Sequence, residues 1–157
     1  KEECSLTNPA CYMGVDPGNS GAVAFYFPEY PQKIASLDVP LANGEIDAAA
    51  LSHLIKGFQP MMAVVELVHS MPKQGVASTF KFGVAYGMAR GTIAAMQIPM
   101  VLVTPNKWKK FYSLSSDKEQ ARARAIQYWP SSDNFRLKKH HGRAEAALLA
   151  KYGAEML

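Results

Sequence analysis

The sequence predicts one α/β domain whose sheet opens with antiparallel strands, and three observations carry that expectation. Short apolar runs ending in an acid or a proline, "CYMGVD", "KIASLDVP" and "MMAVVE", have the length and boundaries of strands. The segments between the later runs space their apolar residues three and four apart, as helices do. A chain of 157 residues with 48% hydrophobic content suits one compact core rather than two. A single domain over 12–153 is therefore expected, preceded by an irregular tail over 1–11.

The elements follow in order. The run starting at Cys11 and ending at Asp16 is the first strand, "PGNSG" is turn chemistry, and "AVAFYF" over 22–27 is the second strand. "KIASLDVP" is a third strand, stopped by Pro40. After "LANGE", residues Ile46, Ala50, Leu51, Leu54 and Ile55 mark a helix over 46–58. "MMAVVE", 61–66, is a buried strand that again ends in an acid.

A second helix over 78–96 carries Thr79, Gly83, Gly87, Gly91 and Ala95 at a strict four-residue interval. Glycine inside a helix costs about 1 kcal/mol relative to alanine, so this stripe should lie against a very close neighbour. Two neighbours fit: the protein's own sheet, or a twin helix across a dimer interface. "IPMVLVTP" is another strand, and Thr104-Pro105 has the form of a helix cap followed by proline at the first position. Ser116 and Glu119 form a capping-box pattern for a helix that ends before Pro130. The loop "SSDNFRLKKHH" leads to a last helix, which Gly153 is expected to terminate. There is no internal repeat and no low-complexity segment.

The charge is unevenly placed. From Pro105 to Lys151, eleven Lys/Arg stand against four Asp/Glu, a net +7, whereas the rest of the chain has six against nine, a net −3. A basic C-terminal third points to a polyanionic partner, nucleic acid first, against the alternative of a solvated basic face. No stretch approaches the ~20 apolar residues of a membrane span, so no membrane association is expected. The two cysteines, Cys4 and Cys11, do not make a disulfide framework or a zinc site. A soluble intracellular setting is expected: bacterial or phage-infected cytoplasm, or an organelle such as a chloroplast or mitochondrion if a transit segment was removed ahead of Lys1.

Four residues are candidates for chemistry. Asp16 and Glu66 each end a buried strand, where a carboxylate can project from the sheet rim into a cleft. Two such acids sharing one cleft would repel unless a divalent cation let both stay ionised; the plainer alternative is that each caps a turn or pairs with a base. In "HGRAE", His141 and Glu145 lie four apart on one helix face, and "AEAALLA" surrounds Glu145 with apolar residues. An acid on a buried flank needs a partner, and a cation shared with Asp16 and Glu66 supplies one; a surface His–Glu pair is the other reading.

The stretches "GVDPGNSGAVA", "VVELVHSMPKQG", "FKFGVAYGMARG", "VTPNKWKK", "DKEQARARA" and "HHGRAEAALLA", taken together and in this order, resemble the RuvC-type Holliday junction resolvases, especially the RuvC-like branch of phages and chloroplasts. The resemblance runs from about Tyr12 to Gly153. It implies an RNase H-like fold, with a mixed five-stranded sheet flanked by helices. It also implies a homodimer, through the 78–96 helix, that makes paired symmetric nicks at a four-way DNA junction with two Mg²⁺ or Mn²⁺ ions. By the same resemblance Asp16 serves both metals, Glu66 the second and Glu145 the first. His141 takes the remaining ligand position, with His140 the alternative in a register one residue different. Lys118 falls where a family lysine approaches the scissile phosphate.

Other basic and polar residues then become candidates for DNA: Arg122 one turn beyond Lys118, Lys107 and Lys110 on the preceding segment, Lys139 and Arg143, and Lys73 with Gln74 in "MPKQG". Phosphate contacts of this kind are independent of sequence and weaken steeply with salt. The chain departs from the family where several members carry an aromatic residue after the strand-end glutamate. Here His69 and Met71 occupy that stretch, leaving Phe80 or Phe82 as substitutes, although both also suit a core. Three other readings remain at this level. "DPGNSG" resembles the first phosphate loop of actin-like and sugar-kinase ATPases, but the chain is short and has no second copy, so no nucleotide cofactor is expected. An RNase H-like nuclease acting on RNA or RNA–DNA hybrid is possible, as is a catalytically inactive junction-binding protein.

Overall fold

The computed structural model describes residues 8–69 and 75–157. Its centre is a five-stranded mixed sheet built from β1 (Tyr12–Asp16), β2 (Ala22–Tyr26), β3 (Ile34–Asp38), β6 (Met62–Glu66) and β7 (Met100–Val103), in the order β3-β2-β1-β6-β7. The first three strands are antiparallel neighbours joined by short turns, while β6 runs parallel to both β1 and β7. This is the mixed five-stranded sheet that the resemblance implies, opened by the antiparallel strands that the sequence pattern predicts. A two-stranded hairpin, β4 (Leu41–Ala42) and β5 (Glu45–Ile46), turns at Asn43-Gly44, both at positive φ (53° and 77°). It occupies the start of what periodicity suggested was helix; the helix α1 (Ala48–Phe58) begins after Asp47, whose carboxylate accepts from the Ala50 amide at 3.0 Å.

Alternation along the strands divides the core in two. Val23 and Phe25 of β2, with Met13 and Val15 of β1, face α1 and α2 (Val76–Ala95). Ala22, Ala24 and Tyr26 face the other way, toward α3 (Pro105–Phe111), α4 (Lys118–Tyr128) and α5 (His141–Met156). The closest contact is between β1 and α5: a Cβ added to Gly14 would run into the Ala146 carbonyl and the Ala150 amide nitrogen. Small residues on both sides let the last helix lie directly on the central strand. That contact carries Glu145 to the end of β1.

Several sequence-based expectations are corrected. The cap of α4 is Asp117, whose carboxylate accepts from the Glu119 amide at 2.9 Å; Ser116 is not the cap, so the Ser116–Glu119 box does not form. Gly153 does not end α5, which continues to Met156. It is buried where a Cβ would stand 2.6 Å from Val64 Cγ2, so it is a packing glycine rather than a stop. The glycine stripe of α2 is also reassigned. That helix packs on its own domain through Ala85, Ala89, Thr92 and Ile93, whereas a Cβ on Gly83, Gly87 or Gly91 would meet nothing within 4 Å. The sheet is therefore not what the stripe packs against. Val76 and Phe80, 89% and 74% exposed, continue the open face, so Phe80 is not a core residue.

Candidate active site

Asp16 and Glu66 are brought together by strand register. The parallel pairing of β1 with β6 runs from Tyr12 opposite Met62 to Val15 opposite Val65, so the next residue on each strand is one of the two acids. The chain turns away after Asp16 through Pro17-Gly18, where Gly18 holds φ +112° against the Phe82 ring, a conformation that excludes most side chains. Asp16 is half-buried and Glu66 buried.

Glu145 arrives from above, one turn into α5, and is buried at 6% exposure. The first turn of that helix lies over Asp16: a Cβ on Gly142 would stand 2.9 Å from Asp16 Oδ2. Glycine at 142 therefore lets the positive end of the helix dipole approach the carboxylate closely.

Neighbouring carboxylate charges are felt at Asp16 and at Glu145. Asp16 is pushed well above the usual carboxylate range, first by burial and then by the negative charges of Glu145 and Glu66. Glu145 is raised by burial and then by Glu66. Lys109 and Lys118 pull in the opposite direction at both acids. Glu66 Oε2 accepts a hydrogen bond from the Trp108 indole at 2.8 Å.

The two histidines have different surroundings. His140 is buried, and its Nδ1 accepts from the Leu137 amide at 3.1 Å; burial and then Arg143 lower its pKa. Its imidazole is thus committed to the turn before α5. His141 is half-buried with Nδ1 buried and unpartnered, and burial followed by Lys118 depresses its pKa, against a smaller opposing influence of Glu119. A neutral imidazole with an unused nitrogen, on the helix face of Glu145, has the properties of a metal ligand.

The donor set, three carboxylates and one neutral imidazole, suits a hard divalent cation. The elevation of Asp16 and of Glu145 by burial and by neighbouring carboxylates is the imbalance a cation would relieve, and the buried His141 Nδ1 has no hydrogen-bond partner. Among the described residues no three His, Cys, Asp or Glu side chains are already gathered as a coordination shell.

The basic residues divide by what they touch. Lys107, Lys110, Lys118 and Lys139 are exposed. Arg122 and Arg143, expected on the DNA-facing surface, are engaged within the protein. Arg122 pairs with Glu119 at 2.8 Å and donates to the Phe135 and Arg136 carbonyls at 3.1 Å. Arg143 forks onto both oxygens of Asp38, at 2.9 and 3.1 Å, tying α5 to the end of β3. Lys73, Gln74 and Met71 lie outside the described residues, and His69 is exposed.

Sequence reasoning missed Lys109. It lies near Asp16 and Glu145 and sits 5.5 Å from the Trp108 ring centroid. The available signal was the burial of Trp108, which sets the rotation of a seven-residue helix and turns its neighbour toward the cleft.

No protein-family model matches the sequence, and no curated protein matches it. Solved structures do match the architecture. RuvC of Thermus thermophilus in complex with a Holliday junction substrate superposes with a TM-score of 0.65 at 18% identity, over 94% of this chain and 96% of that one. A second Thermus thermophilus RuvC structure gives 0.63 at 15%, over 93% and 96%. The yeast mitochondrial Holliday junction resolvase gives 0.52 at 16%, over 93% of this chain and 78% of that one. Identities at this level carry architecture alone, and the architecture is the RNase H-like fold of RuvC.

Proposed function

We propose that this chain is a structure-selective DNA endonuclease of the RuvC type, resolving four-way junctions by paired symmetric nicks as a homodimer. The observation that carries the reading is the convergence of Asp16, Glu66 and Glu145, from β1, β6 and α5, at one rim of an RNase H-like sheet, with elevated carboxyl groups at Asp16 and Glu145. His141, with its free Nδ1, completes the donor set. Bound there, a pair of Mg²⁺ or Mn²⁺ ions would activate water and stabilise the leaving 3′ oxygen of a phosphodiester.

The chain's own residues have distinct tasks in this reading. Asp16 would serve both ions, as the resemblance implies, with Glu66 and Glu145 each holding one. Lys118 and Lys109, whose charges reach Asp16 and Glu145, would meet the scissile phosphate and offset its charge. Lys107, Lys110 and Lys139 would take the flanking DNA backbone, and Lys73 with Gln74, outside the described residues, are further proposed DNA contacts.

The open glycine face of α2 supports the dimer. Glycines that pack on nothing in their own domain still cost helix stability, and a twin helix lying in the groove would recover it. Phe80, exposed at one end of that face, would be available to stack at the junction, with Phe82 the alternative.

The test compares cleavage of an immobile four-way junction, a matched linear duplex and an RNA–DNA hybrid in Mg²⁺ and Mn²⁺. The expected result is cutting confined to the junction. Preferential cutting of the hybrid would move the assignment to RNase H-like activity, and tight junction binding without nicks would leave only a binding protein.

A further inference from the structure

We propose that Trp108 is a positioning residue that holds the Glu66 carboxylate in the orientation needed for cation binding. The inference rests on the metal-site reading above and names a residue that reading does not use.

The Trp108 side chain is fully buried, so its single N–H must find an acceptor or bear the cost of losing water. It finds Glu66 Oε2 at 2.8 Å, across 42 residues of sequence. The path is short in space because β7 lies beside β6, with Val103 opposite Glu66, and α3 starts two residues later. Thr104 caps that helix by accepting from the Lys107 amide at 3.3 Å, and Pro105 opens it. The indole thus folds back over the strand end from a helix whose start is fixed.

The ring has little freedom of its own. Tyr112 meets it edge-on at 6.4 Å and anchors to α5 through a 2.7 Å bond from its hydroxyl to the Leu148 carbonyl. On the other side of the sheet the Tyr86 hydroxyl donates to the Glu66 main-chain carbonyl at 3.2 Å. Glu66 is therefore held twice, its backbone by α2 and its carboxylate by α3.

The chemistry of the donor matters. An arginine or lysine at 108 would orient the carboxylate but offset the charge a cation needs. Indole donates one hydrogen bond, carries no charge and offers no lone pair to compete as a ligand. Fixing one oxygen removes rotamer freedom from a flexible side chain and presents the other. Partners of this type behind ligands commonly change metal affinity or activity by about 10- to 100-fold when removed.

Trp129 provides an internal control, because its indole donates to the Pro31 carbonyl at 3.0 Å rather than to an acid, and the chain has only two tryptophans. The experiment follows both indole N–H resonances in ¹⁵N-labelled protein during Mg²⁺ titration, for the wild type and Glu66→Ala. The expected result is a saturable Mg²⁺-dependent movement of the Trp108 signal, and its displacement in Glu66→Ala before any metal is added, with Trp129 unmoved throughout. In Trp108→Phe, the Mg²⁺ concentration for half-maximal junction cleavage should rise about tenfold or more, with the rate largely restored at saturating metal. A Trp108 signal indifferent to both Mg²⁺ and Glu66→Ala would overturn the proposal, as would wild-type metal dependence in a folded Trp108→Phe. If Trp108→Phe does not fold, the two resonance titrations decide. A wild type that shows the Mg²⁺-dependent Trp108 shift yet leaves junctions uncut would refute the junction reading while supporting the positioning role.

Discussion

Asp16 is held in a state that favours its proton. A carboxyl whose folded pKa lies above its unfolded value binds protons more tightly when folded, so the metal-free fold is favoured at low pH. That contribution is fully present below the ordinary aspartate value of 3.8 and is lost as pH rises through the elevated one. Replacing Asp16 by Asn removes the charge without removing the shape. In urea denaturation with a chelator, Asp16→Asn should be more stable than wild type at pH 7 by on the order of 1 kcal/mol, and the difference should shrink toward pH 4. His141 has the opposite sign. Its pKa is depressed below 6.5 by burial and Lys118, so it stays neutral and able to ligate through pH 7. Cleavage should therefore be flat near neutrality and fall only below the ordinary histidine range, and it should be at least as fast in Mn²⁺ as in Mg²⁺. A pH–rate profile of His141→Asn without that acid-side loss beyond the carboxylate contribution would confirm the assignment.

At the scale of elements, the site depends on how closely α5 lies on β1. Gly14→Ala forces a Cβ into the helix backbone, where no side chain can rotate away. The expected result is a loss of several kcal/mol or failure to fold, measured by denaturant titration, well beyond the ~1–3 kcal/mol of ordinary overpacking. These elements also show what was legible in sequence. Apolar runs ending in an acid marked the strand ends, but the pattern alone did not separate Asp16 and Glu66 from Asp38, which ends β3 in the same way and pairs with Arg143; the alanines and leucines around Glu145 signalled its burial. The α4 cap was misplaced because Ser116 and Asp117 are adjacent and both suit the role. Gly153 looked like a terminator because its partner, Val64, is distant in sequence. Lys109 could not be chosen from three lysines in "NKWKK" until Trp108 fixed the rotation of α3.

For the whole molecule, the open face of α2 has the most consequence. Substituting Gly87 by Arg places a bulky charge where nothing of the same chain lies within 4 Å, so the fold should survive with its helix intact. Sedimentation should show the wild type as a dimer and Gly87→Arg as a monomer, and the monomer should lose the pairing of nicks before it loses nicking itself. A Gly87→Arg protein that remains dimeric would move the interface to another surface. Among the described residues no helix is long and apolar enough to cross a membrane. Lys107, Lys110, Lys118 and Lys139 are exposed, and Lys118 with Lys109 brings positive charge to the carboxylates.

A working metal centre for junction cleavage, formed by Asp16, Glu66, Glu145 and His141, is the proposal on which the rest depends. It is tested most directly with an end-labelled immobile four-way junction, cut by the wild type and by Glu145→Gln in Mg²⁺ and in Mn²⁺. Symmetric paired nicks by the wild type are expected, with at least a hundredfold slower cutting by Glu145→Gln, as for loss of a catalytic charge-stabilising group. Wild-type rates in Glu145→Gln, or a wild type that binds the junction tightly and nicks it in neither metal, would contradict it.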